Sequence, residues 1–183
     1  MFQLYLKEKR VEYDSRRFQE FLRKNGLDQI IVIDTCVFMF DHFVMKKAFR
    51  SLIIIPQTVI RELKNLTLHC KASVRRRANR SLKAIFGERL EYELKEGIFI
   101  SKNKCFVLIR STQKIYFRQA TADNEIISLA VDIEREKAKG KVILFSRDNL
   151  LRAKARNKGV DAKPYNKNSF NEIFGKQKEG VAF

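Results

Sequence analysis

The sequence predicts an α/β fold built on a mainly parallel sheet. Three short, unbroken apolar runs carry the prediction: Ile30-Ile31-Val32-Ile33, Leu52-Ile53-Ile54-Ile55 and Val142-Ile143-Leu144-Phe145. Strands covered on both faces show continuous runs of this kind rather than alternation. Helical patterns separate the runs, so the connections are crossovers, which are right-handed between parallel strands. At 183 residues, 45% hydrophobic and with fifteen Phe, the chain has the size of one domain with short extensions, and enough apolar surface for a core.

Residues 2–6 alternate apolar and polar like a half-buried strand. Asp14 or Ser15 can then cap a short helix that turns Phe18, Phe21 and Leu22 inward and stops at Gly26. Residues 1–28 are therefore expected to be an extension packed on a core domain of residues 29–165, with residues 166–183 a polar tail. In the core, the first run ends at Asp34, a helical segment over residues 38–49 leads to the second run, and Pro56 closes that run. A helix from about Thr58 carries Val59, Glu62 and Leu63. Residues 72–86 predict an arginine-rich helix with Val74, Ala78 and Ile85 on one face and Arg76, Arg80 and Lys83 on the other. Residues 97–101 and 105–110 flank the polar turn Lys102-Asn103-Lys104 as a small β-hairpin insertion. Thr121 or Asp123 opens a helix through Ile126, Ile127, Leu129, Ala130 and Ile133 toward Gly140. After the third run, Asp148 stands where a cap belongs, a helix over residues 149–157 stops at Gly159, and residues 160–165 form an edge strand that tolerates Pro164.

Composition narrows the function classes. Lys and Arg number 38 against 21 Asp and Glu, a formal charge of +17, and the pI is near 10.0. Such a balance favours a polyanion, nucleic acid first. No apolar run approaches the roughly 18 residues that span a bilayer, and Lys7, Glu8, Lys9 and Arg10 break the start where a signal peptide needs its apolar stretch. The expectation is a soluble cytoplasmic protein without a membrane partner. Cys36, Cys70 and Cys105 are scattered, with only His42 and His69 beside them, which excludes a zinc finger or disulfide scaffold. The seven glycines form neither the dinucleotide fingerprint nor a P-loop.

What remains is chemistry from carboxylates, hydroxyls, cations or a bound metal, and the carboxylates are the informative group. Asp34 ends the first strand, Glu62 lies in the helix after the second, Asp123 opens a helix, and Asp148 follows the later strand. Ligands of open α/β sheets bind in the crevice at the carboxyl ends of parallel strands, where these four acids converge. Glu62 is the only acid between Arg61 and Lys83, and Asp148 the only one between Arg147 and Lys158. Two carboxylates about 4 Å apart repel by roughly 4 kcal/mol at an effective dielectric near 20, so a cluster needs a proton or cation. Oxygen donors without thiolate pairs suit Mg²⁺ or Mn²⁺. Singly, each acid has a plainer use: Asp34, Asp123 and Asp148 as helix caps, Glu62 as a solvated partner of a nearby cation. Asp41, Glu125 and Asp132 are read as surface charge or supporting groups.

The segments Val32-Ile33-Asp34-Thr35-Cys36-Val37-Phe38, Ile55-Pro56-Gln57-Thr58-Val59-Ile60-Arg61-Glu62-Leu63, Ala122-Asp123-Asn124-Glu125-Ile126-Ile127 and Leu144-Phe145-Ser146-Arg147-Asp148-Asn149-Leu150-Leu151 resemble, in order, the four acidic motifs of PIN-domain nucleases. Within that superfamily the chain is most similar to PIN domains found beside PhoH-type ATPases, through its arginine-rich helix, its hairpin and Lys154, Ala155, Gly159 and Val160. The resemblance implies a three-layer α/β/α fold and metal-dependent hydrolysis of phosphodiesters, usually in RNA, giving 3′-hydroxyl and 5′-phosphate ends. It implies that Asp34, Glu62, Asp123 and Asp148 are the catalytic, metal-holding acids. Many members have Asn where this chain has Cys36, a departure that questions one supporting hydrogen bond.

Thr35, Ser146 and Asn149 can hydrogen-bond the carboxylates or a phosphate. Because an acidic crevice repels nucleic acid, capture falls to its rim, for which Arg61, Lys64, Arg76, Arg80, Lys83, Arg147 and Arg152 are the candidates. Tyr116 and Phe117 can stack on unpaired bases, while His42 is read as structural. The leading expectation is an endoribonuclease for single-stranded or exposed RNA. The rivals are a non-catalytic nucleic-acid-binding module and a structure-specific DNA nuclease. Small PIN proteins also serve as toxins with antitoxin partners, and homodimers are common in the family.

Overall fold

The computed structural model describes residues 20, 22–27, 29–87, 94, 97–100, 104–136, 141–166 and 169. The expected strand over residues 2–6, its following cap and most of the polar tail lie outside these. In chain order the elements are β1 (Gln29–Ile33), α1 (Thr35–Phe40), α2 (Val44–Lys47), β2 (Ser51–Pro56), α3 (Gln57–His69), α4 (Ala72–Phe86), β3 (Ile98–Ile100), β4 (Cys105–Arg110), α5 (Ala122–Glu136), β5 (Lys141–Ser146), α6 (Asn149–Asn157) and β6 (Asp161–Pro164).

The three apolar runs form the centre of a six-stranded sheet of order β3-β4-β2-β1-β5-β6. β1 pairs in parallel with β2 and β5, β2 with β4, and β5 with β6, while β3 runs antiparallel on one edge. Helices cover the sheet in a three-layer α/β/α arrangement, which is why Ile30 to Ile33 and every residue of β2 are buried. The pairing Ile33↔Phe145 is continued by the Asp34 N–H, which donates to the Phe145 carbonyl at 3.1 Å. Asp34 and Ser146 therefore leave the sheet side by side.

The hairpin forms, with Ile98 opposite Val107, yet it is less an insertion than an edge of the main sheet, because β4 pairs along its length with β2. Gly97 opens it at φ +91°, and a Cβ there would meet the Phe106 ring at 2.1 Å. The helical segment expected over residues 38–49 is broken into α1 and α2. Asp41 causes the break: its side chain accepts from the Phe43 N–H at 3.1 Å and from the Tyr165 hydroxyl at 2.6 Å, and pairs with Lys47. An Asx turn replaces the helical ladder there.

α4 docks on α1 through Ser81, fully buried, whose hydroxyl donates to the Phe38 carbonyl at 2.8 Å. α6 ends as expected: Gly159 at φ +84° lets its own N–H reach the Arg156 carbonyl and the Val160 N–H reach Ala155, a Schellman cap. The helical turn at residues 22–24 likewise ends at Gly26, with Leu22 buried.

Candidate active site

β1 ends at the carboxyl edge of the sheet with Asp34, 6% exposed. Asp34 occupies the N-cap position of α1 but makes no side-chain cap bond. Its Oδ2 instead accepts from the Ser146 hydroxyl at 2.6 Å and from the Cys36 thiol at 2.8 Å. Ser146, fully buried at the end of β5, also accepts from the Asp148 N–H at 2.9 Å. Burial, then the Asp34 charge and hydrogen bond, push the Cys36 thiol up to about 11, so it stays protonated and donates. Its sulfur also accepts from the Arg147 N–H at 3.0 Å. The supporting bond questioned by Cys36 is thus made, by a thiol in place of an amide.

α3 brings Glu62 in from the next strand connection, where the Thr35 hydroxyl donates to its Oε2. Burial raises the Glu62 pKa, and the charges of Asp34 and Asp123 raise it further against the opposing effects of Thr35 and Arg61. Asp123 stands in the first turn of α5, freed from capping because Thr121 Oγ1 accepts from the Asn124 N–H at 3.3 Å. Its pKa is raised by burial first, then by Asp34 and Asp148, against Lys154, whose Nζ lies 4.0 Å from Oδ2. Asp148 does cap α6, its Oδ1 accepting from the Leu150 and Leu151 N–H groups at 2.7 and 3.0 Å.

Four acids from four elements thus sit within one another's fields around the ends of β1 and β5. Among the described residues, no group of three or more His, Cys, Asp or Glu side chains is placed so as to hold a metal ion. The all-oxygen chemistry of the four acids is nevertheless of the kind that suits a hard divalent cation. Among the described residues, Asp34 Oδ1, Glu62 Oε1 and Asp148 Oδ2 receive no hydrogen bond, and burial, with neighbouring carboxylate charge added to it, raises the pKa of Glu62 and Asp123.

The sequence pattern of the PIN domain matches residues 31–166, most of the chain. The chain belongs to the PIN domain family. At the coarse level this makes it a protein of metal-dependent nuclease type. No curated protein matches it. Among solved structures, the PIN domain is similar to a PilT N-terminus domain protein from the hyperthermophilic archaeon Sulfolobus solfataricus P2, at 13% identity over 85% of this chain and 98% of that one, TM-score 0.48. It is also similar to a domain of a functionally unknown protein from Methanocaldococcus jannaschii, at 16% identity over 75% and 91%, TM-score 0.41. The assignment rests on the family match.

The rim of the PIN domain differs in part from the sequence expectation. Arg76, Arg80 and Lys83 are exposed on α4, and so are Arg75 and Arg77, which the helical-face pattern did not single out. Arg152 is not an open phosphate grip: its guanidinium donates to the Ser146 carbonyl at 2.9 Å and to Asn149 Oδ1. That pairing commits Asn149 as well, so both brace the loop after β5. Arg61 pairs with Glu125 at 2.7 Å beside a cleft of about 230 Å³ that also meets Thr58, Arg110 and Thr112. Hydrogen bonds from Thr58 and Arg61 outweigh burial and hold the Glu125 carboxyl below its ordinary range. Lys64 is exposed on α3.

Tyr116 is half-buried and packed against the core. Lys114 Nζ lies 5.4 Å and the Arg135 guanidinium carbon 4.4 Å from its centroid, and its hydroxyl donates to Asp132 at 2.5 Å. Phe117, packed against the core, has Lys158 5.0 Å from its centroid. His42 stacks on Phe43 at 4.1 Å. Among the described residues the exposed aromatics are Phe40 and Phe43, and the Arg147 guanidinium carbon lies over one face of Phe40, 3.6 Å from its centroid. Nothing in the local sequence distinguished them from core phenylalanines.

Proposed function

We propose that the protein is an endoribonuclease that hydrolyses phosphodiester bonds of single-stranded or exposed RNA with Mg²⁺ or Mn²⁺. The observation that carries the reading is a buried Asp34, fixed by Ser146 and Cys36, close enough to Glu62 and Asp123 that its charge adds to burial in raising the pKa of both. Carboxylates held together against repulsion, with oxygens left open, are what a cation-binding site requires and a structural cap does not.

Asp34 and Asp123 would hold one ion, with Glu62 beside it and Asp148 contributing through its uncapped Oδ2. When bound, the ion lowers the pKa of water and neutralises charge building on the phosphate during in-line attack. The side chains supply the rest. Ser146 and Cys36 lock the Asp34 rotamer, and Thr35 locks that of Glu62, leaving Glu62 Oε1 to accept the proton of the attacking water. Its raised pKa brings it closer to the operating pH, where a general base works best. The exposed cations of α4 and Arg147 would meet RNA phosphates.

RNA is preferred over DNA as substrate on the family's usual chemistry alone, since the +17 charge attracts either polyanion. The reading covers a toxin-type and an RNA-processing nuclease alike. The test is cleavage of a labelled single-stranded RNA, and of DNA of the same sequence, by purified protein with Mn²⁺ or Mg²⁺. RNA is cut and EDTA stops the reaction. Cleavage that survives in both Asp34→Asn and Asp123→Asn overturns the assigned site, and preferential DNA cleavage overturns the substrate.

A further inference from the structure

The loop after β5 lies along one side of α1. Cys36 and Phe40 are four residues apart and therefore share a helix face. Cys36 takes the Arg147 N–H on its sulfur at 3.0 Å, and the Phe40 ring takes the Arg147 guanidinium 3.6 Å from its centroid. One residue thus ties the carboxylate site to the exposed aromatic, about one helical turn, or 5.4 Å, further along α1.

Phe40 is anchored rather than loose. Its ring packs T-shaped with that of Tyr165, centroids 6.4 Å apart, and Tyr165 is buried and bonded to Asp41 at 2.6 Å. Among the described residues Arg147 has no carboxylate partner, so its charge is open to an anion. Phe43 repeats the pattern three residues on, 47% exposed with Lys46 Nζ 5.0 Å from its centroid. With one face of Phe40 covered by the Arg147 guanidinium, a base is left the guanidinium plane or the other ring face, and aromatics interleaved with cations that have no carboxylate partner among the described residues match the way single strands are gripped: bases stack and phosphates pair.

We infer that Phe40 and Arg147 form a stacking platform for an unpaired base flanking the scissile phosphate, and that this platform makes the enzyme select single strands. The inference rests on the proposed ribonuclease reading. Duplex bases are already stacked and cannot lie on the ring, so the platform discriminates by strandedness rather than by base edge.

The test uses the full chain in EDTA, so that binding is read without cleavage. The probes are a fluorescent single-stranded oligoribonucleotide, the same strand with abasic positions, and its duplex. Phe40→Ala is expected to weaken binding of the intact strand by about 5- to 150-fold, to change binding of the abasic strand little, and to leave the duplex unaffected. Phe40→Trp restores the preference, which a folding defect would not allow. An equal loss on intact and abasic strands, or no loss, overturns the platform. So does a shift from dimer to monomer in light scattering with RNA binding unchanged, since the patch is then a protein contact. Wild-type chain that neither binds nor, with Mn²⁺, cleaves RNA overturns the ribonuclease reading itself, a separate outcome.

Discussion

Replacing Ser146 by Ala isolates what holds the site together before any ion or substrate arrives. The hydroxyl is fully buried, donates to Asp34 Oδ2 at 2.6 Å and accepts from the Asp148 N–H at 2.9 Å. A hydrogen bond to a charged group contributes about 1.5–3 kcal/mol, and a neutral one about 0.5–1.5. The thiol of Cys36 remains on Oδ2 after the change, so the sum is an upper limit, and the expected loss is about 2–4 kcal/mol. For a chain of this length each kcal/mol shifts Tm by about 2–4 °C. Urea unfolding followed by circular dichroism in EDTA reads the loss as a lower midpoint at unchanged slope. A cycle with Asp34→Asn locates it: the two substitutions should couple by at least about 0.5 kcal/mol, as partners in one network do. With Mn²⁺ and RNA, Ser146→Ala should lower kcat by about 10- to 100-fold, the range for groups that orient a ligand. A loss below about 0.5 kcal/mol, or strict additivity with Asp34→Asn, refutes the claim that Ser146 positions Asp34.

Asp34→Asn and Asp123→Asn should each lower RNA cleavage by more than the roughly 100-fold typical of outer partners, measured on labelled RNA with circular dichroism confirming the fold. Mn²⁺ at 100 times its Kd should stabilise the wild-type chain by about 2.7 kcal/mol, and Asp34→Asn should abolish that gain in thermal scans. The folded-state pKa values of Glu62 and Asp123 lie above their ordinary values. The native state therefore keeps protons that the unfolded chain has released, and metal-free stability falls as pH rises from the ordinary carboxylate range through the raised values. Glu62→Gln should flatten that fall and stabilise the metal-free chain at pH 8 by up to about 1 kcal/mol, and destabilisation there contradicts the charge clustering. Reversing Arg76 and Arg80 to Glu should weaken RNA binding and lower the log–log salt slope by about 0.7 per lost phosphate contact, read by titration at several salt concentrations.

The strands and the places of the acids were legible because both are local signals. Unbroken runs mark buried strands, and an acid directly after such a run must emerge at the carboxyl edge, as Asp34 does. The same logic would have placed β4 in the main sheet, since Cys105-Phe106-Val107-Leu108-Ile109 is an unbroken run. The adjoining polar turn drew attention to the hairpin instead. Other features depend on partners far away in sequence. Asp41 breaks the helix with help from Tyr165, and Cys36 becomes a donor because Asp34 accepts from it, Arg147 donates to it and burial keeps it protonated. Arg152 and Asn149 are withdrawn from the rim by each other, a pairing compatible with their spacing but not dictated by it. The exposure of Phe40, like that of Phe43, is a property of packing, invisible to composition.

The bond from Ser146 to Asp34 joins residues 112 positions apart. During synthesis, β1 and β2 can meet early, but the strand on the other side of β1 emerges only in the last quarter of the chain. Non-local parallel pairing of this kind is slow, so the carboxylate that would cut RNA acquires its fixed orientation only when β5 slots in. An unfinished chain still attached to the ribosome, surrounded by RNA, holds the acids without the arrangement that arms them.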